Sequence, residues 1–314
     1  MNNRLLTLGI DTSNYTCSAA IFNACDGTVL QSKQLLPVKT GEKGIRQSDA
    51  VFHHTVLLPQ MTENLGESLR EISAIGVSDR PSCRDGSYMP CFMVGLGAAR
   101  EISAVTGKPY FTSTHQTGHI LAALYSAQKL SWVRECKRFF AFHVSGGTTD
   151  LLLCECGGEN VVGVKRLGGS LDLKAGQAID RCGVMLGLDF PCGKELEKLA
   201  QSCDEKIRVK PSVRGLDCSL SGIENKCRKL YEDGAEKSYV AAFCLKSVEA
   251  AISAMTSAAI EQYGNLPVLY AGGVMSDALI ADSLKKRFDA YFAAPEFSCD
   301  NAAGMAVFAA FKKD

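Results

Sequence analysis

One local pattern occurs twice in this chain: an apolar strand, a short turn of small polar residues, and a second apolar strand. Residues 5–10 run into a polar turn at 11–16 and out through 17–22. Residues 139–144 run into Ser145-Gly146-Gly147-Thr148-Thr149 and out through 151–154. Both read as hairpins. The repetition is one of architecture and not of sequence. It predicts an α/β protein of two related lobes, each offering a turn to a shared cleft.

The remaining periodicities fit that plan. In the first lobe, Asp26-Gly27 signals a turn into a third strand over 28–36. Val56, Leu57, Met61, Leu65 and Leu69 fall at helical spacing within 53–69. A strand over 72–77, a Gly/Ala-rich helix over 94–105, a strand at 110–112 and a helix over 115–127 follow. The second lobe continues with helices over 173–186 and 237–263, a strand at 268–270, the turn Ala271-Gly272-Gly273-Val274 and another helix. A final Ala-rich helix over 301–312 crosses back to the first lobe. The expected division is 1–134, 135–298 and a returning segment 299–314.

Composition supports a full core and narrows the partners little. The chain has 314 residues, 46% of them hydrophobic, and 34 basic residues balance 34 acidic ones. Net charge therefore gives no sign of a nucleic-acid or membrane partner. The densest basic run, Lys206, Arg208, Lys210 and Arg214, reads as a solvated loop. The first apolar stretch is too short for an export signal and is soon interrupted by Asp11. No apolar run approaches the ~20 residues that span a bilayer. A cytoplasmic setting is expected, with the 14 cysteines reduced. No C-x-x-C occurs, so cysteine spacing supports no zinc framework, and the pair Cys154 and Cys156 reads as strand packing.

Three turns and one helix carry the chemistry. Glycines in 145–149 let backbone N–H groups approach an anion while the hydroxyls add donors. Gly272-Gly273, between a strand and a helix, offers a surface to a purine or phosphate. Asp11, with Thr12 and Ser13, supplies a carboxylate able to hold hydrated Mg²⁺ on phosphates. Any one of these is weak, but three at strand ends in two lobes point to a nucleotide. His115-Gln116-Thr117-Gly118-His119 places two imidazoles at i and i+4, which is metal-ligand spacing if helical. A zinc protease would need Glu after the first His, and Gln116 supplies no general base. Asp300 is a plausible third ligand.

In this order the motifs resemble the TsaD family of tRNA threonylcarbamoyladenosine synthases, once called sialoglycoproteases, within the actin-like ATPase superfamily. The resemblance begins at Gly9-Ile10-Asp11-Thr12-Ser13 and Thr16 and includes His115-x-x-x-His119 and Val144-Ser145-Gly146-Gly147. It continues through Ala175-Gly176-Gln177-Ala178-Ile179-Asp180, then Leu186-Gly187-Leu188-Asp189-Phe190-Pro191-Cys192-Gly193. Gly215-Leu216-Asp217-Cys218-Ser219-Leu220-Ser221-Gly222, Ala271-Gly272-Gly273-Val274 and Cys299-Asp300-Asn301-Ala302-Ala303 complete it. The resemblance implies an actin-like fold with a nucleotide cleft between its lobes. It implies that His115, His119 and Asp300 hold iron or zinc and that Val144, Ser145, Gly146 and Gly147 form the phosphate turn. Asp180, Gly193, Gly272, Gly273 and Asp277 then contact ATP or threonylcarbamoyl-adenylate, and Asp11 and Thr16 take catalytic places. The implied reaction moves threonylcarbamoyl from its adenylate to N6 of adenine 37 of a tRNA, with AMP released. The implied partners are tRNA, a smaller actin-like homologue that pairs through the first lobe, and a P-loop ATPase, with no membrane.

The sequence departs from the family's pattern at places that face the acceptor. Asn14 and Tyr15 stand where the family has an acidic pair, and Asp277 where it has Asn. A charged stretch over 77–88 replaces a Gly-Pro-Gly loop, Thr148 replaces a His, and Cys192 replaces a glycine. These departures leave open a non-catalytic, nucleotide-binding paralogue that docks a partner protein.

Overall fold

The computed structural model describes residues 5–37, 45–84, 86–298 and 302–313. They form two compact units. The first comprises Met1–Lys137, Glu155–Val164 and Glu296–Asp314, and the second Arg138–Cys154 and Lys165–Pro295.

The first unit runs through β1 (Leu6–Thr12), β2 (Thr16–Asn23), β3 (Val29–Leu35), α1 (Gln47–Glu63), β4 (Ile72–Arg80), α2 (Phe92–Thr106), β5 (Tyr110–Thr114), α3 (His115–Ser126) and the single turn α4 (Ser131–Arg134). The second contains β6 (Arg138–Val144), β7 (Thr149–Cys156), β8 (Val162–Gly169), α5 (Ala175–Met185), α6 (Gly193–Gln201), the short pair β9 (Val213–Arg214) and β10 (Asp217–Cys218), α7 (Ser221–Glu232), α8 (Lys237–Tyr263), β11 (Val268–Ala271), α9 (Ala278–Lys285) and β12 (Ala290–Phe292). The end of β7 and the start of β8 fall in the first unit, to which α10 (Ala303–Lys313) also belongs.

The two large sheets have one topology. The first is ordered β3-β2-β1-β4-β5 and the second β8-β7-β6-β11-β12. In the first sheet β1 is antiparallel to β2 and parallel to β4, and β4 is parallel to β5. In the second, β11 runs parallel to both β6 and β12. The repeated strand-turn-strand pattern therefore marks the start of the same five-stranded sheet in each unit.

Every residue of β1 is buried, so both faces of the first sheet are covered. Leu8 and Ile10 enter the core shared with α1 and α2. Gly9 and Gly76 face the other way, where any Cβ would collide with the α10 backbone. Thr7 Oγ1 donates to the Ala306 carbonyl on that same face (2.7 Å). These small residues let the last helix lie directly on the sheet.

The helix expected at 53–69 lies at Gln47–Glu63, followed by a 3₁₀ turn over Gly66–Glu71. Gly66 takes φ +65°, which ends the α-helical register before Leu69. α6, α7, β8 and β12 gave weak sequence signals. α7 is strongly charged, β12 has three half-buried residues, and β8 carries exposed Lys165 and Arg166 at its middle. Among the described residues α8 is the one helix long and apolar enough to cross a bilayer, contrary to the expectation that no run approaches that length. Most of that stretch is buried in the core of the second unit, with Val240, Cys244, Val248 and Met255 fully covered.

Candidate functional site

In the first unit the site is built where β1 and β5 end. Both are aligned with β4 between them, so their C-terminal ends share an edge of the sheet. β1 delivers Asp11, which is 1% exposed. Its Oδ1 accepts from the Ser13 N–H (2.8 Å), and its Oδ2 lies 2.6 Å from His115 Nδ1. β5 runs straight into α3, whose N-cap Thr114 accepts from the Thr117 N–H (3.0 Å). His115 therefore opens the helix and His119 stands one turn on. Their ring centroids are 4.3 Å apart, edge to face. Gly118 between them admits α10, and a Cβ on Gly304 would strike the Gly118 carbonyl.

This arrangement fits a metal. With Nδ1 held by Asp11, coordination by His115 would use Nε2, the common pattern of a carboxylate fixing a ligating imidazole. Asp300, the third ligand expected from the resemblance, lies outside the described residues. Ala302 and Gly304, just beyond it, pack against β1 and α3. The nearby thiols are poor ligands. Burial, with Asp11 adding to it, pushes Cys17 up to about 12 and Cys91 up to about 11.

Two further groups join the site that no sequence spacing announces. His54, on α1, is fully buried, and its Nε2 lies 2.7 Å from the Ser13 carbonyl, so that nitrogen carries the proton. Burial lowers its pKa and keeps the ring neutral. Ser13 Oγ is buried with no hydrogen-bond partner among the described residues. Nothing in the spacing of residues 13 and 54 could have paired them. Thr16, the other expected catalytic residue, begins β2 and is buried opposite Leu35.

In the second unit Val144 ends β6 and the turn follows. Ser145 Oγ accepts from the N–H groups of Gly147 (3.3 Å) and Thr148 (3.1 Å), while Gly146 and Gly147 are exposed. The N-terminus of α5 lies against this turn. The Gly176 N–H donates to the Ser145 carbonyl (3.2 Å), and a Cβ on Gly176 would come 2.6 Å from the Gly146 nitrogen. Just after the parallel neighbour β11, Gly272 takes φ +100°, and a Cβ there would collide with Val144. The turns at Ser145 and Gly272 thus lie side by side at the ends of adjacent parallel strands. Exposed glycine amides and a helix N-terminus at one sheet edge suit a phosphate.

Asp180 and Gly193 are also brought close, because Asp180 Oδ1 accepts from the Cys192 N–H (2.9 Å) and Gly193 opens α6 next to it. Cys192 fills the space left by the missing side chain of Gly183. Asp277 caps α9 by accepting from the Ile280 N–H (3.0 Å). Burial, with Glu197 adding to it, raises this carboxyl to about 6. Elsewhere, Asn14 Oδ1 accepts from Gln47 Nε2 (2.8 Å), and Tyr15 is exposed. The charged loop touches the histidine helix, where the Gln116 N–H donates to the Pro81 carbonyl (3.1 Å). The basic run Lys206, Arg208, Lys210 and Arg214 is exposed between α6 and α7.

Comparison with known proteins bears on the family and the fold. The family model for TsaD, tRNA N6-adenosine threonylcarbamoyltransferase, matches residues 29–307. A tRNA N6-adenosine threonylcarbamoyltransferase of Methanopyrus kandleri is 27% identical over 290 residues, covering 90% of this chain and 80% of that one. The protein of the same name from Thermosipho africanus is 28% identical over 330 residues, covering 98% and 95%. Among solved structures, full-length HypF in its phosphate- and nucleotide-bound form superposes with a TM-score of 0.61 at 12% identity, over 98% of this chain and 55% of that one. That likeness concerns the fold, which is actin-like. The motif order and the match over most of the sequence place this chain in the TsaD family of tRNA N6-adenosine threonylcarbamoyltransferases.

Proposed function

We propose that this protein transfers threonylcarbamoyl from its adenylate to N6 of adenine 37 of a tRNA in the cytoplasm. The observation that carries the reading is the Asp11–His115 contact with His119 one helical turn away. It is the arrangement of a metal-ligating imidazole pair with its supporting carboxylate. His115 and His119, with Asp300, would hold iron or zinc, and that metal would supply Lewis-acid polarisation of the carbamoyl group.

The rest falls to the chain's own groups. The amides of 145–147 and the α5 N-terminus would hold the phosphate, with magnesium as counterion where ATP is bound. Gly272 and Gly273 would carry the adenosine, and Asp180 and Gly193 would contact the threonylcarbamoyl-adenylate. Asp11, both of whose oxygens are engaged, orients His115 and does not itself touch phosphate. In the transfer, the N6 amine attacks the carbamoyl carbon, the bond from that carbon to the phosphate oxygen breaks, AMP leaves, and the amine proton passes to solvent. The smaller actin-like homologue and a P-loop ATPase are the expected partners.

The test is direct. Protein with those partners, threonylcarbamoyl-adenylate and tRNA should yield threonylcarbamoyladenosine, with the yield abolished in His119→Ala. No modified nucleoside from metal-loaded protein would refute the reading. One observation favours a second reading: Asn14, bound to Gln47, places an amide where the family has a carboxylate. On that reading the chain binds nucleotide and docks a partner without transferring anything. Turnover that His119→Ala removes would exclude it.

A further inference from the structure

Three thiols meet in the core of the second unit, and none of them is among the residues assigned above. Cys182 on α5, Cys227 on α7 and Cys244 on α8 have Sγ atoms that all lie within 4.8 Å of one another. All three residues are 0% exposed. They are separated by 45 and 17 positions, so no sequence spacing announces them. Each comes from a different helix. Cys182, Cys227 and Cys244 are free thiols.

From this geometry we infer a buried three-sulfur site for a soft, thiophilic cation of the copper(I) class, made by Cys182, Cys227 and Cys244. A metal–sulfur bond of about 2.3 Å sets the sulfurs of a trigonal site about 4 Å apart. The three Sγ atoms reach that spacing by closing less than about 1 Å, within the range of small side-chain rotations. The thiols already act as a group. The neighbouring sulfurs of Cys182 and Cys244 lower the pKa of Cys227. The other polar contact is weak, Cys244 Sγ to the Ala178 carbonyl at 3.9 Å.

The shell decides between cations. The surroundings are the apolar core of α5, α7 and α8, which excludes hard cations that need oxygen ligands. Structural zinc takes four ligands. The next sulfur, Cys192, donates to the carbonyls of Asp180 (3.4 Å) and Leu188 (3.8 Å) and so is engaged elsewhere. Three sulfurs in a dry shell suit copper(I). Binding would displace thiol protons, so uptake should weaken in acid. The site is independent of the transfer reading.

The test is copper(I) titration of the full chain against bicinchoninate, in a His119→Ala background that removes the imidazole pair, with X-ray absorption of the bound metal. The expected result is one copper(I) retained per chain in a sulfur-only shell. Cys182→Ser and Cys227→Ala should each weaken retention by ~100-fold or more, by analogy with loss of a ligand at other metal sites. Exposed Cys25→Ser and Cys83→Ser should leave it unchanged. The proposal is overturned if the chain retains no copper, if the absorption spectrum shows nitrogen or oxygen neighbours, or if folded Cys182→Ser or Cys227→Ala retains copper as well as the parent does. Because the absorption spectrum is read on the chain with all three thiols intact, a cysteine variant that fails to fold leaves the test standing.

Discussion

The turns after β1 and β6 occupy equivalent places in two sheets of one topology, yet they are built in opposite senses. The first is closed. Asp11 and Thr12 at the end of β1 and Ser13 just after it are buried, with only Tyr15 of the turn exposed, and the carboxylate is committed to a backbone N–H and an imidazole. The second is open. Gly146 and Gly147 are exposed, and the Ser145 hydroxyl holds the turn together from within. One scaffold position therefore serves two chemistries. On the proposed function, a buried carboxylate would fix a ligand to a metal, and an exposed glycine turn would leave amides for an anion. A hairpin at a strand end specifies a location, and the residues in it specify what that location holds.

The largest effect that would break this contrast is loss of a metal ligand. His115→Ala should empty the metal site and lower transfer by ~100-fold or more, given that even supporting residues of such sites cost 10–100-fold. Metal analysis of the purified variant beside a turnover assay checks it. Asp11→Asn keeps a hydrogen-bond acceptor for His115 but removes the charge. It should weaken metal affinity by about 10–100-fold with little change in nucleotide binding, as read by competition with a chelator.

Backbone approach in the open turn gives the next effect. Gly176→Ala sets a methyl about 2.6 Å from the Gly146 nitrogen. It should displace the phosphate turn and weaken ATP binding by roughly tenfold, about 1.4 kcal/mol, by calorimetry. Metal content should stay at the parent level.

Asp277→Asn gives a smaller effect with a defined pH signature. The folded carboxyl is raised to about 6 from 3.8. The folded state therefore holds a proton that the unfolded chain has released between those values. Stability from this group is full below the unfolded value and is lost as pH rises toward 6. Asn keeps the helix cap without the charge, so the variant should gain on the order of 1–2 kcal/mol above pH 6 and nothing near pH 4. Thermal melts at the two pH values decide it.

Much of this was legible from the sequence because it is local. Strand ends, glycine turns and the i, i+4 histidines are short-range patterns, and α8 runs over the whole span its periodicity predicts, Lys237–Tyr263. What escaped depends on distant pairing. The hold of Asp11 on His115 joins residues 104 apart, and the His54–Ser13 contact joins residues 41 apart. The thiol trio of Cys182, Cys227 and Cys244 needs three helices to pack before it exists. The helix carrying His54 starts and ends six residues before the apolar repeat suggests, and the later repeat positions fall beyond it, Leu69 in the 3₁₀ turn over Gly66–Glu71. Asp277 looked like a ligand group by its position after Gly272-Gly273, and packing made it a buried cap as well.

The division of labour between the two turns is tested by one paired measurement. Metal content and ATP affinity are measured on the same preparation of full-length His115→Ala. The metal should be lost while ATP affinity stays within about fivefold of the parent, roughly 1 kcal/mol. Metal retained at the parent level would contradict it, as would a fall in ATP affinity as large as the loss of metal binding.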